Sequence, residues 1–239
     1  MITKKFFYFW FKSKVIEKLF LYIVEYSYLL LPLGFILFVN KSKGFAPILL
    51  CIYGILCFLF LHFYFEIPRE QRSYYKTAYT FFEYAVFTAL IFLNITNIII
   101  KRIIVIISIG FLAFQIFYVV SGQVKRIDSI PIGIETILLL FYILFFFYQY
   151  AKNVGSPFIY NHYAFWVSVG ILIYLGGSFF FFMLIDHLNS NEIAIFGNMT
   201  YIAEIVKNIL FCTALFTYAK NPFKLKAQPR QSVPFLDHI

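Results

Sequence analysis

Charge is scarce in this chain of 239 residues: charged residues make up 13% of it, against 62% hydrophobic and 23% aromatic. At a mean hydropathy of +0.82, the apolar surface exceeds what one water-soluble globule can bury, which excludes a soluble domain and leaves an integral membrane protein. Cysteine is scarcer still, with three residues. Cys51, Cys57 and Cys212 all fall inside apolar runs, so neither a disulfide framework nor a thiolate metal site is expected. His62, His162, His187 and His238 include no pair at helical spacing and do not share one membrane depth, which argues against a zinc hydrolase and against any metal site. A Gly-x-Ser-x-Gly elbow and a glycine-rich phosphate loop are both missing, so nothing supports nucleophilic hydrolysis or nucleotide binding. The formal net charge of +9 would point to nucleic acid in a soluble protein. Here Lys and Arg punctuate apolar runs, and the expected partner is the lipid bilayer.

What the chain does have is continuous apolar runs of about 20 residues, the length of a membrane-spanning helix rather than of a barrel strand. Their number predicts an all-α polytopic bundle of seven transmembrane helices with short loops. The expected spans are 19–39, 45–64, 77–93, 103–120, 130–150, 162–185 and 193–218, with a kink in the first at Pro32 and Gly34. Before them, 1–18 mixes Lys with Phe and Trp as an interfacial segment, and after them 219–239 forms a short basic disordered tail. No small-residue cleavage site follows the first run, so it is expected to remain as a span.

Seven spans put the termini on opposite sides of the membrane. Lys and Arg divide almost evenly between the two sets of connectors, so their count fixes no orientation. The acidic connector 186–192 and the basic cluster after the seventh span place the C-terminus in the cytoplasm as an expectation.

Inside the spans, Glu25, Glu83, Glu135 and Glu204 all sit on odd-numbered helices, in the half of the bilayer facing the N-terminal side. Even spans bring His62, Tyr64, Gln115, Tyr118 and Ser178 into the same half. Charge there needs a partner, water or a proton. A polar cavity open toward the N-terminal side is therefore expected, lined by Glu25, His62, Glu83, Gln115, Glu135, Glu204 and Lys207. Lys207 follows Glu204 by three residues, a spacing that allows an internal ion pair and makes this pair the expected centre. In the sixth span, Ser168, Gly170, Gly176, Gly177 and Ser178 permit close helix approach.

The stretch FWVSVGILIYLGGSFFFFML at Phe165–Leu184, followed by IVKNILFCTALF at Ile205–Phe216, resembles a group of seven-helix membrane proteins of Bacteroidota. The resemblance implies a bundle in the bacterial inner membrane, loosely related to seven-helix sensory modules that act with signalling partners. A lysine in the seventh span is also similar to retinal proteins, whose resemblance would cast Lys207 as the Schiff-base lysine and Glu83 as its counter-ion; the expectation is otherwise no cofactor. Four functions remain open: a receptor-like sensor passing its state to a separate partner protein, a proton-coupled or cation transporter, a metal-independent enzyme acting on lipids with Glu83 or Glu135 as acid or base, and a structural subunit.

Overall fold

In a computed structural model, the described residues are 19–39, 44–64, 66–68, 70–121, 129–152, 159–184 and 188–220. The interfacial segment 1–18, the turn at Lys41 to Lys43, His187, His238 and the tail beyond 220 lie outside them. The described residues are all helical apart from short turns. Among the described residues seven α-helices follow one another: α1 (Leu19–Phe38), α2 (Phe45–Phe63), α3 (Arg72–Phe92), α4 (Ile98–Val120), α5 (Ser129–Lys152), α6 (Tyr163–Leu184) and α7 (Ser190–Lys220). Five of them, α1, α2, α4, α5 and α7, are long and apolar enough to cross a membrane. The protein is thus an α-helical membrane protein.

Local chemistry explains where the helices begin. The Asn97 side chain accepts from the N–H groups of Ile99 (2.9 Å) and Ile100 (3.4 Å), so α4 starts at Ile98, ahead of the polar break expected through Arg102. Residues Asn189 and Glu192 form a reciprocal capping box, each side chain accepting from the other's backbone N–H at 2.9 and 3.1 Å. That box starts α7 three residues before the apolar run, and α3 likewise begins at Arg72 rather than at the edge of its apolar run.

The kink in α1 is real but displaced from the two residues that signal it. Pro32 has no N–H to give the Tyr28 carbonyl, which instead accepts from Leu31 at 3.2 Å, and the helix breaks at Tyr28 and Leu29. Gly54 of α2 packs into this break. A Cβ there would lie 2.8 Å from the Tyr28 carbonyl oxygen and 2.8 Å from Leu31 Cβ.

Close approach also governs α6 against α7, the most extensive helix pair in the bundle. A Cβ on Gly177 would meet Ala203 Cβ at 2.5 Å, and one on Gly170 would meet the Phe211 ring at 3.0 Å. Around the centre, Tyr53, Phe87 and Phe211 pack as a fully buried aromatic group with ring centroids 5.4 to 6.0 Å apart. Large apolar side chains such as Ile106, Ile109, Phe117 and Leu144 point outward, as the lipid face of a bundle requires.

Candidate buried charge site

Lys207 lies at the centre of the bundle with 0% exposure. Its ammonium donates to Tyr53 Oη on α2 at 2.8 Å, to Tyr28 Oη on α1 at 3.3 Å and to Glu83 Oε1 on α3 at 3.4 Å. The ring of Tyr174, on α6, has its centroid 3.9 Å from the same nitrogen. Five helices therefore meet at one positive charge.

Glu83 is the better-supported of its two carboxylate neighbours. Its Oε1 accepts from Tyr53 (2.7 Å) and Tyr79 (3.3 Å) as well as from Lys207, and its Oε2 accepts from Tyr174 at 2.9 Å. Glu204 stands 4.0 Å from Lys207 Nζ and accepts a hydrogen bond from Tyr28. The nearer partner is thus the carboxylate on another helix, not the one at the i,i+3 position expected to be central. Glu204 lies on the same face one turn back but is held by Tyr28, whereas Glu83 faces Lys207 across the core.

Several sequence features combine to build this arrangement. The break at Tyr28 and Leu29 adjoins the tyrosine whose hydroxyl reaches Glu204, Lys207 and, at 3.1 Å, Tyr79 Oη. Tyr79 and Glu83 share one face of α3 at i,i+4, and Tyr53 and Cys57 do the same on α2. Gly170 and Gly177 bring α6 against α7, which carries the Tyr174 ring over Lys207. Beside Lys207, Asn208 is also 0% exposed and donates to Ser27 Oγ on α1 at 2.7 Å. In so dry a setting each charge-assisted hydrogen bond is strong, and each one left unmade is costly.

The seven residues expected to share a cavity divide among three places. Glu83, Glu204 and Lys207 meet in the centre, where the tyrosines pack directly on them. At the edge, Glu25 Oε1 is 2.8 Å from His62 Nδ1, whose side chain is 53% exposed. Gln115 and Glu135, each 4% exposed, lie on α4 and α5, and neither hydrogen-bonds to the Lys207 group. Ser178, also buried, donates to the Tyr174 carbonyl within its own helix.

Sequence reading missed Tyr28, Tyr53, Tyr79 and Tyr174, because aromatic side chains are so abundant in this chain that none stands out. The available signals were Tyr79 one turn from Glu83 and Tyr28 one turn before Pro32. Among the described residues no group of three His, Cys, Asp or Glu is placed to hold a metal ion. Comparison of the chain with protein-family models, with curated proteins and with solved structures gives no match. The geometry alone carries the functional argument.

Proposed function

We propose that the chain is a receptor-like sensor of the bacterial inner membrane, and that the Lys207 group is its switch. All seven helices span the bilayer in this reading. Five qualify by length and composition; α3 joins them because Lys207 neutralises its Glu83, and α6 because its apolar segment is packed along α7. The single observation behind the proposal is that one ammonium is bonded or stacked to side chains of α1, α2, α3 and α6 while carried by α7. Any movement of one of these helices exchanges charge-assisted bonds that cannot be replaced by lipid, which favours two discrete packings over gradual deformation. A ligand or membrane state that favours one packing would shift the population, and a separate partner protein would read the helix ends, with the C-terminus in the cytoplasm. Lys207 acts here as an ammonium with its donors engaged. A retinal Schiff base would take over the nitrogen that ties the helices together.

Cys57 provides the test. It is 0% exposed on α2, one turn from Tyr53, beside the hydroxyls of Tyr53 and Tyr79. With Cys51 and Cys212 replaced by Ser, Cys57 should resist a membrane-permeant maleimide in the wild-type background and react at least about tenfold faster in K207M or E83Q, since opening the group by about 1.4 kcal/mol changes its population tenfold. Equal labelling rates in the three proteins would remove the switch role. The second reading, a proton-coupled or cation transporter, draws on Glu135, a further buried carboxyl within electrostatic range of Glu83 and Lys207. Flux of protons or cations into proteoliposomes that E135Q abolishes would favour it over the sensor.

A further inference from the structure

Between α3 and α4 runs a groove of about 340 Å³, walled by Ala85, Thr88, Ala89 and Phe92 on one side and by Val105 and Ser108 on the other. The α3 positions recur at i, i+3, i+4 and i+7, which is one helix face, and the small side chains of Ala85 and Ala89 leave the space. Hydrogen bonds hold the two helices at this separation. Tyr84 Oη lies 2.8 Å from Ser108 Oγ and 3.2 Å from Tyr142 Oη on α5. Near the end of α5, Gln149 Oε1 accepts from the backbone N–H groups of Thr96 (2.8 Å) and Asn97 (3.3 Å), in the turn that leads into α4. The groove is thus built into the fold. Exposed Val105 and Ile109 border it, so it opens toward lipid.

Charge decides what kind of lipid fits. Lys101 and Arg102 stand at the mouth, where Lys101 Nζ is 4.8 Å from the ring centroid of Phe92, itself a wall of the groove. Lys101 precedes Val105 and Ser108 by four and seven residues, and Arg102 precedes Val105 by three, so both cations continue the stripe that faces the groove. Among the described residues neither has a carboxylate partner. They also lie beside the N-terminus of α4, the positive end of the helix dipole, where a basic pair is unfavourable without an anion. Deeper in, Thr88 Oγ1 is buried without a hydrogen-bond partner in the protein. It sits four residues before the end of α3, about 6 Å along the axis. A lipid lying in the groove with its phosphate at the mouth carries its ester carbonyls, which are acceptors, a short way below that phosphate.

We propose that the groove between α3 and α4 is a binding site for an anionic phospholipid, whose phosphate is held by Lys101 and Arg102 and whose acyl chain lies along Ala85 and Ala89. Basic residues at the mouth of an apolar cleft between membrane helices are suited to such a headgroup, and the Thr88 hydroxyl supplies a donor for an ester carbonyl. With all seven helices spanning and the C-terminus in the cytoplasm, as proposed above, the mouth opens on the cytoplasmic leaflet. The lipid site itself needs only α3 and α4 to lie in the bilayer, and none of its residues belongs to the Lys207 group.

The test uses the full chain, purified in detergent, stripped of lipid and titrated with phosphatidylglycerol or phosphatidylcholine of identical acyl chains, with bound lipid counted by native mass spectrometry. The wild type should bind one phosphatidylglycerol at least about tenfold more tightly than phosphatidylcholine, since each basic residue near a headgroup contributes about that order of preference. K101Q/R102Q should abolish the preference. A89F, which fills the groove and leaves the charges in place, should abolish it too, and T88V should weaken binding. K152Q/K220Q, which removes two charges from the ends of α5 and α7, should keep the preference. The readout is a ratio of affinities within one protein, so a variant of lower stability still reports. Equal affinity of the wild type for the two lipids overturns the proposal. So does a preference that survives A89F, which would place the headgroup on surface charge alone, or one that K152Q/K220Q reduces as much as K101Q/R102Q.

Discussion

Lys207 Nζ lies 3.4 Å from Glu83 Oε1, 124 positions away in the chain, and 4.0 Å from Glu204 Oε1 on the next turn of its own helix. The long-range pair therefore does what a local pair cannot: it makes the electrostatic stability of the core depend on how α3 sits against α7.

Removing one member of this pair leaves a buried charge with no counterpart. K207M and E83Q should each destabilise the bundle by about 3–5 kcal/mol, and the double variant K207M/E83Q should be markedly less damaged than the sum of the two. Equilibrium unfolding in mixed detergent micelles measures the cycle. Additive losses would show that the two side chains are not energetically coupled. The same cycle with E204Q should give a smaller coupling, because Glu204 stands farther away and is held by Tyr28.

Two adjacent glycines in α6 make a second prediction with its own control. A Cβ at Gly177 would meet Ala203 Cβ at 2.5 Å, whereas one at Gly176 meets nothing within 4 Å. Gly177→Ala should separate α6 from α7 and cost about 1–3 kcal/mol. Gly176→Ala should be neutral or slightly stabilising, since alanine removes backbone freedom from the unfolded chain. Comparable losses in both variants would mean that backbone conformation, not helix approach, decides these positions.

The helix class and the expected residues Glu83, Glu204 and Lys207 were legible in the sequence because long apolar runs are unmistakable and charges inside them are few. Their pairing was less legible. An i,i+3 spacing is visible in a one-dimensional string and a contact between the third and seventh helices is not, so Glu204 drew the attention that Glu83 holds in three dimensions. The tyrosine cage was hidden by abundance: each of Tyr28, Tyr53, Tyr79 and Tyr174 looked like one more aromatic in a chain full of them. Gln115 was noted only for its depth. That both polar atoms of its amide are buried without a hydrogen-bond partner is a property of packing alone.

Gly54 links the α1 break to the central group. Its missing Cβ lets α2 lie against the Tyr28 carbonyl and Leu31, and Tyr28 in turn places its hydroxyl between Glu204 and Lys207. Gly54→Val should force α1 away from α2 and expose Cys57 to maleimide, although position 54 touches neither Lys207 nor its carboxylates. If Cys57 stays protected while the variant is folded, α1 does not need this close approach to hold Tyr28 in place.

The pair formed by exposed His62 and buried Glu25 should behave quite differently from the central one. His62 is 53% exposed in its side chain, so its contact with Glu25 at 2.8 Å is open to solvent and to salt. His62→Gln should change stability by less than about 1 kcal/mol. A loss as large as that of K207M would show that buried Glu25 depends on His62 as strongly as Glu83 depends on Lys207.

His162 supplies the pH dependence that lies outside the helices. It precedes α6, where its Nδ1 accepts the Ala164 N–H at 3.2 Å, a cap that only the neutral ring can provide. Burial pushes its pKa down from 6.5 to about 4. Between those values the unfolded chain takes up a proton that the folded chain refuses, so the contribution of His162 is complete above pH 6.5 and declines as the pH falls toward 4. H162N keeps a side-chain acceptor at the cap and does not titrate. Thermal unfolding followed from neutral pH down to about pH 4 should therefore show a steeper loss in the wild type than in H162N. Carboxyl groups titrate in both proteins and cancel in the difference. Parallel curves would mean that protonated His162 is accommodated at the start of α6, and that the cap can be released without loosening the helix that carries Tyr174.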